Sequence, residues 1–328
     1  MQTSLLEAIN AEYHFAEKNI SIEKIALDTM NPNFIIHDSH KKYFLKNYRL
    51  DVAGNRERLE EIHAIEQFFR SRSIPVITPL RTKNGANIFQ HENEFYSIYP
   101  FVEAITIDTP EKLSDTNITC LGLTLAGIHV AGKDAPRLSS WNYNGWSTEK
   151  FFDKYRLIKE SIISKEDKTE FDLLSLELLE LKNRFVLSLG EKTKTMLVND
   201  HLIHGDFHER NVFFTEKGGI HAVFDFEKSA LYPRSIELAR SLDIVCVFGA
   251  IAQSKNLQIA KTYLSAYNSV YKISKEEFIT GFKEQIENRI SSLNNHSAGK
   301  EIIISESNKL QWYVKDLDAI ANELAEVL

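Results

Sequence analysis

Short apolar runs separated by polar turns fill the first third of the chain, and apolar residues at helical spacing fill most of the rest. Residues 3–15 place Leu5, Leu6, Ile9 and Tyr13 on one face behind a Ser4-to-Glu7 capping pattern, which predicts a helix. A short strand over 22–26 follows. Runs 34–36 and 43–46 flank the polar turn 37–42 and predict a hairpin. Leu59, Ile62, Ile65, Phe68 and Phe69 recur at helical spacing over 55–70, bracketed by Gly54 and Ser73-Ile74-Pro75. Runs 76–80, 87–89 and 94–99 read as further strands of one small sheet. Beyond Pro100 the pattern is mainly helical, over 118–130, 172–189, 236–252, 257–270, 275–290 and 307–327, with 294–299 as the clearest late loop.

The exception in this second part is 201–240. Val212-Phe213-Phe214, the turn Lys217-Gly218-Gly219 and the run Ile220 to Phe224 predict a second hairpin. It brings Asn211, at the start of its first strand, next to Asp225, at the end of its second. An amide oxygen and a carboxylate meeting there suit Mg²⁺, which takes a few hard oxygens and completes its shell with phosphate and water. Asp206 precedes Asn211 in the same polar loop and is free to orient a hydroxyl nucleophile.

His204-Gly205-Asp206, Asn211, Val223 to Glu227, and Pro233-Arg234 with Glu237-Leu238-Ala239-Arg240 together resemble the aminoglycoside phosphotransferase and choline kinase-like superfamily. These are small-molecule kinases of the protein kinase-like fold. One three-residue motif would carry little, but four pieces in order and at compatible spacing carry the resemblance. It implies an α+β, bilobal fold. A small antiparallel-sheet N-lobe over 1–102 would bind nucleotide, and a mainly helical C-lobe over 103–328 would hold the catalytic and metal motifs and the acceptor site.

The resemblance further implies ATP and Mg²⁺, with Asp206 as the catalytic group and Asn211 and Asp225 as metal ligands. Lys46 ends an apolar strand, as does the family's phosphate-neutralising lysine. A glutamate from the helix over 55–70 should hold that lysine, and Glu61 fits best, with Glu57 and Glu60 as alternatives. Residues 99–102 resemble the interlobe hinge, where backbone groups of Tyr99, Phe101 and Val102 would read the adenine edge; Pro100 has no N–H to offer. One departure is the glycine-free stretch 28–33, where Thr29, Asn31 and Asn33 would have to serve the phosphates. The expected function is ATP-dependent, Mg²⁺-assisted phosphoryl transfer to a hydroxyl of a small molecule, aminoglycoside-, sugar- or amino-alcohol-like. The alternative is a kinase-like binding or structural protein without turnover. A protein kinase is disfavoured, because Glu227 stands where that family has glycine and no A-P-E segment follows.

Composition narrows the partners. The chain of 328 residues has a formal net charge of −7 with no basic stripe, which argues against nucleic acid. Most of the excess acid lies in 103–328. With the aromatic cluster Trp141, Tyr143, Trp146, Phe151, Phe152 and Tyr155, that acid raises the expectation of a cationic acceptor, against a packing role for the rings. Trp312 is a further acceptor-site candidate. His129 reads as a packed histidine and His204 as a brace of its loop. Cys120 and Cys246 imply no disulfide framework, and neither a signal peptide nor a membrane-length apolar run is evident, so a cytoplasmic protein is expected. Oligomeric state is not legible.

Overall fold

The structure, a computed structural model, describes residues 2–15, 20–25, 32–39, 41–48, 56–133, 135, 139, 141–142, 145–190, 197–246, 253–293 and 300–328. The chain opens with α1 (Gln2–Glu12), β1 (Ser21–Lys24), β2 (Phe34–Asp38), β3 (Lys41–Tyr48), α2 (Arg56–Ser71), β4 (Phe89–His91) and β5 (Glu94–Pro100). The five strands form one antiparallel sheet in the order β1-β2-β3-β5-β4. Strand alternation sorts β3 by face. Leu45 packs with Ile36, Ile98 and the α1 residues Leu5 and Ile9. On the opposite face, Tyr48 joins Leu59, Ile62, Ile65 and Phe69 of α2. Lys46 shares that second face and lies opposite Ser97 in the ladder.

The remainder is α3 (Asp115–Lys133), α4 (Thr148–Ile163), α5 (Glu170–Leu189), β6 (His201–Leu202), β7 (Val212–Phe214), β8 (Ile220–Val223), β9 (Leu231–Tyr232), α6 (Arg234–Val245), α7 (Gln253–Val270), α8 (Lys275–Ser291) and α9 (Lys300–Leu324). The β7–β8 hairpin and the short β6–β9 pair are the only sheets in this part among the described residues. The larger apolar core runs without a break from Tyr48 and α2 through α3, the hairpin and α6 to α9. The helix that flanks the small sheet is therefore buried against the β7–β8 hairpin, so the two parts share one packed interior.

Three expectations are corrected. Residues 76–80 form no strand of the small sheet: Val76 makes a parallel bridge to Val223 of β8, and only Leu80 N–H reaches back to the Ile98 carbonyl, at 2.7 Å. The α1 helix begins at Gln2, so Ser4 lies inside it and is not its cap. Trp312 is buried beside Tyr313 in the main core, which removes it as an acceptor contact. The aromatic residues Trp146, Phe151 and Tyr155 form a small core of their own with Leu179 and Val186, as the packing reading expects; Tyr143 lies outside the described residues.

Candidate active site

The predicted hairpin forms, with Val212 opposite Val223. Phe224 N–H donates to the Asn211 carbonyl at 3.1 Å, so the first residue of one arm and the end of the other are held together. Asp225 then adopts a left-handed conformation, φ +67°, which is uncommon for a residue with a side chain and turns its carboxylate out of the strand. Asn211 Nδ2 donates to the Asp206 carbonyl at 2.9 Å, and its amide oxygen has no partner among the described residues. No three His, Cys, Asp or Glu side chains among the described residues gather into a ready-made metal cage. An amide oxygen and a carboxylate at the two ends of one hairpin are the hard-oxygen chemistry that a magnesium-like ion takes.

The loop before the hairpin is held from behind. Glu237 of α6, almost fully buried, accepts the N–H of His204 at 3.1 Å and the N–H of Gly205, and meets His129 Nε2 at 2.8 Å. Tyr267 closes the chain on His129 Nδ1 at 2.8 Å. His129 is thus a fully satisfied core histidine. Gly205 has φ +86°, and a Cβ there would stand 2.0 Å from the Lys228 carbonyl, so only glycine lets the two loops touch. His204 Nε2–H donates to the Phe224 carbonyl at 2.9 Å while Nδ1 accepts from Asp206 N–H at 3.2 Å. Both ring nitrogens are spent on bracing, as the sequence suggests.

Lys46 reaches across to this loop, 2.8 Å from Asp225 and 2.6 Å from Glu227. Burial works against its charge, but the two carboxylates hold its pKa well above the ordinary lysine range. Asp225 is correspondingly lowered: burial would raise it, and the Lys46 ammonium outweighs burial. Glu61, expected beside Lys46, points elsewhere and accepts from Arg58 at 3.1 Å. Glu60 pairs with Arg56 at 2.8 Å, and Glu57 is exposed in the first turn of α2. The α2 carboxylate that faces the lysine's field is Glu66. It is 3% exposed and accepts from Tyr99 Oη at 3.2 Å. Burial pushes its carboxyl up to about 8, against the pull of Lys46. Helical geometry explains the miss. Leu59, Ile62, Glu66 and Phe69 form the buried seam of α2, whereas Glu61 lies on its flank. A carboxylate on an otherwise apolar seam was the available signal.

At the hinge, Tyr99 lies opposite Phe44 in the ladder, with its phenol buried among Glu66 and Tyr48. Phe101 N–H donates weakly to the Lys42 carbonyl at 3.4 Å. Val102, just past the strand, has no backbone partner among the described residues. Thr29 and Asn31 lie outside the described residues. Asn33 is buried, and its carbonyl accepts from Ile25 N–H at 2.9 Å.

On the other side of Asn211, Asp206 carries two cations. Arg240 Nη2 lies 2.5 Å from one carboxylate oxygen and Lys228 Nζ 2.7 Å from the other. Burial would raise this carboxyl, and the two cations together hold it far below the ordinary range. Arg240 stands one turn beyond Glu237 on α6, so a single helix face supplies both the brace of the loop and a partner for its aspartate. Arg58 ties α2 to the same region. It is buried, donates to the Glu227 carbonyl at 2.9 Å and the Ser229 carbonyl at 2.6 Å, and stacks on Trp141 at 4.0 Å. Arg58, Glu66, Lys228 and Arg240 are the site residues that pattern reading did not assign.

This geometry has known counterparts. Residues 21–270 match the model of the phosphotransferase enzyme family. The homoserine kinase of Caulobacter vibrioides is 26% identical over 253 residues, 76% of this chain and 72% of that protein. Among solved structures, the amicoumacin kinase hAmiN superposes with TM-score 0.66 at 14% identity, over 97% of this chain and 93% of that one. A microcompartment-associated aminopropanol kinase superposes with TM-score 0.64 at 13% identity, over 99% of both chains. The fold is that of the protein kinase-like small-molecule kinases, and the chain belongs to the phosphotransferase enzyme family.

Proposed function

We propose that the protein transfers the γ-phosphoryl group of ATP, with Mg²⁺, to a hydroxyl of a small amino-alcohol acceptor, homoserine being the first to test. The observation that carries this reading is that Lys46, 179 residues before Asp225, meets the hairpin that brings Asp206, Asn211 and Asp225 together. The acceptor class rests on the curated relatives, which are named homoserine kinases, and on the aminopropanol kinase among the structural neighbours. The nucleotide rests on the amicoumacin kinase, solved with AMP-PNP and Ca²⁺.

The division of labour follows from position. Residues 1–102 hold the nucleotide, with the backbone of Val102, flanked by Tyr99 and Phe101, facing adenine, and residues 103–328 hold the acceptor. Lys46 leaves its carboxylate partners to contact phosphate, and Glu66 is the α2 group placed to receive it, in the role first expected of Glu61. Asn211 and Asp225 supply the oxygens for the metal, which neutralises charge developing on the phosphate oxygens. Asp206 accepts the acceptor's hydroxyl proton as the new O–P bond forms and the bond from the γ-phosphorus to its bridging oxygen breaks, releasing ADP. The free thiols Cys120 and Cys246 fit a reducing, cytoplasmic setting. The test is a coupled ADP-release assay over homoserine, aminopropanols, choline and aminoglycosides, with Asp206→Asn as control. ADP release that is indifferent to every acceptor, or equal in the control, would overturn the reading.

A further inference from the structure

Asp206 is overcompensated. One carboxylate faces two cations, each on its own oxygen, Arg240 at 2.5 Å and Lys228 at 2.7 Å. Neither cation has another carboxylate among the described residues. The Arg240 Nε is buried with no hydrogen-bond partner, so the guanidinium is satisfied only where it meets Asp206. Neither side chain is enclosed: that of Lys228 is 59% exposed and that of Arg240 36%. A cation present only to set the aspartate's charge would need one partner and no exposure. Two at the mouth leave a net positive charge facing the space where the acceptor must sit.

That placement constrains the acceptor. Its hydroxyl has to come within hydrogen-bond reach of Asp206 to lose a proton there. Groups a few bonds from the hydroxyl then lie beside Arg240 and Lys228. A purely cationic acceptor would be repelled by both, while a carboxylate would pair with the planar guanidinium in a forked contact. The acid excess of the chain as a whole does not describe this spot.

We propose that Arg240 and Lys228 form an anion clamp for the acceptor, which is a carboxylate-bearing alcohol. The acceptor's carboxylate docks on the two cations as its hydroxyl takes their place on Asp206. The proposal rests on the kinase reading and narrows its acceptor class. It also gives the unliganded ion pairs a function. With both oxygens occupied, Asp206 is held away from water until an acceptor of the right charge draws the cations off. Arg240 and Lys228 are specificity residues in this scheme, since they touch the acceptor's carboxylate and not the reacting hydroxyl.

Three probes share one skeleton: homoserine, 4-hydroxybutyrate without the amine, and 3-aminopropan-1-ol without the carboxylate. Removing the carboxylate is expected to lower kcat/KM by about 10–100-fold, mainly through KM, as for loss of a charged partner at a partly exposed site. In Arg240→Gln the ratio of homoserine to 3-aminopropan-1-ol is expected to fall by about 10-fold or more. A wild-type ratio near one overturns the clamp. So does an equal loss for both acceptors in the variant, which would make Arg240 only a support for Asp206. A second readout needs no turnover. With AMP-PNP and Mg²⁺ present, phenylglyoxal modification of Arg240, followed by peptide mass spectrometry, should slow with homoserine or 4-hydroxybutyrate and not with 3-aminopropan-1-ol. Absence of protection by either carboxylate overturns the clamp. Protection without phosphorylation of any acceptor would uphold the clamp and count against the kinase reading alone.

Discussion

The clusters around the two aspartates on either side of Asn211 carry net charges of opposite sign. On the side proposed for the nucleotide, one ammonium, Lys46, serves the two carboxylates Asp225 and Glu227. On the side proposed for the acceptor, two cations, Lys228 and Arg240, serve the single carboxylate of Asp206. The first cluster has a negative remainder and invites a divalent cation. The second has a positive remainder and invites an anion. Lys46 is also the more enclosed, at 14% side-chain exposure, as suits the phosphate contact proposed for it. The few residues between Asp206 and Asn211 thus separate a cluster with a negative remainder from one with a positive remainder. The difference teaches that local charge balance is a better guide to a pocket's ligand than the net charge of its lobe.

The largest effect should come from breaking the acceptor side. Asp206→Asn removes the proton acceptor and is expected to lower kcat by about 10³-fold, within the range for loss of a positioned general base. ATP affinity measured by calorimetry should stay within about twofold, because the oxygens proposed for the metal are those of Asn211 and Asp225. A comparable loss of nucleotide binding would merge the two pockets. Asp225→Ala breaks the other side. ATP should then bind with the same affinity with and without Mg²⁺, whereas the wild type should gain about tenfold or more from the metal.

Much of this comparison was legible in the residues. The hairpin signal around Lys217-Gly218-Gly219 is local, and hairpin geometry alone brings Asn211 beside Asp225. The strand carrying Lys46 was readable for the same reason. What failed were choices decided by tertiary packing. Glu61 and Glu66 are both helical glutamates, and only the way α2 rolls into the core distinguishes them. Residues 76–80 have strand-like composition but are captured by β8 through Val76, so the small sheet does not receive them. The partners of Asp206 come from loops and helices 22 and 34 residues away, a separation that periodicity does not report.

Between the pockets stands Arg58, which joins α2 to the loop after Asp225 through the Glu227 and Ser229 carbonyls. Arg58→Ala would leave those buried carbonyls unpaired and strip the ring of Trp141. A destabilisation of about 2–3 kcal/mol in urea unfolding is expected. Because the lost contacts lie on the Glu227 side, nucleotide KM should rise more than acceptor KM. An equal rise in both would mean that Arg58 supports the fold without favouring one pocket.

The sharpest test on the proposed nucleotide side concerns Glu66. Its folded carboxyl is pushed up to about 8 by burial, whereas an unfolded glutamate titrates near about 4.3. Between those pH values the folded chain retains a proton that the unfolded chain has released. The raised pKa therefore stabilises the fold below the lower value, and this contribution is lost as pH rises through the upper one. The slope is at most about 1.4 kcal/mol per pH unit. Glu66→Gln cannot titrate, so unfolding free energies of wild type and variant, measured in urea from pH 5 to 9, should diverge steadily and then run parallel above about pH 8. Parallel curves throughout would mean that Glu66 is already ionised in the folded protein. The same titration links to the ligand. If nucleotide draws Lys46 from Asp225 toward Glu66, the carboxyl must ionise. ATP binding at neutral pH should then release a proton, visible as a buffer-dependent calorimetric enthalpy that the Gln variant lacks. No comparable proton is expected on the acceptor side, because Arg240 and Lys228 already keep Asp206 ionised.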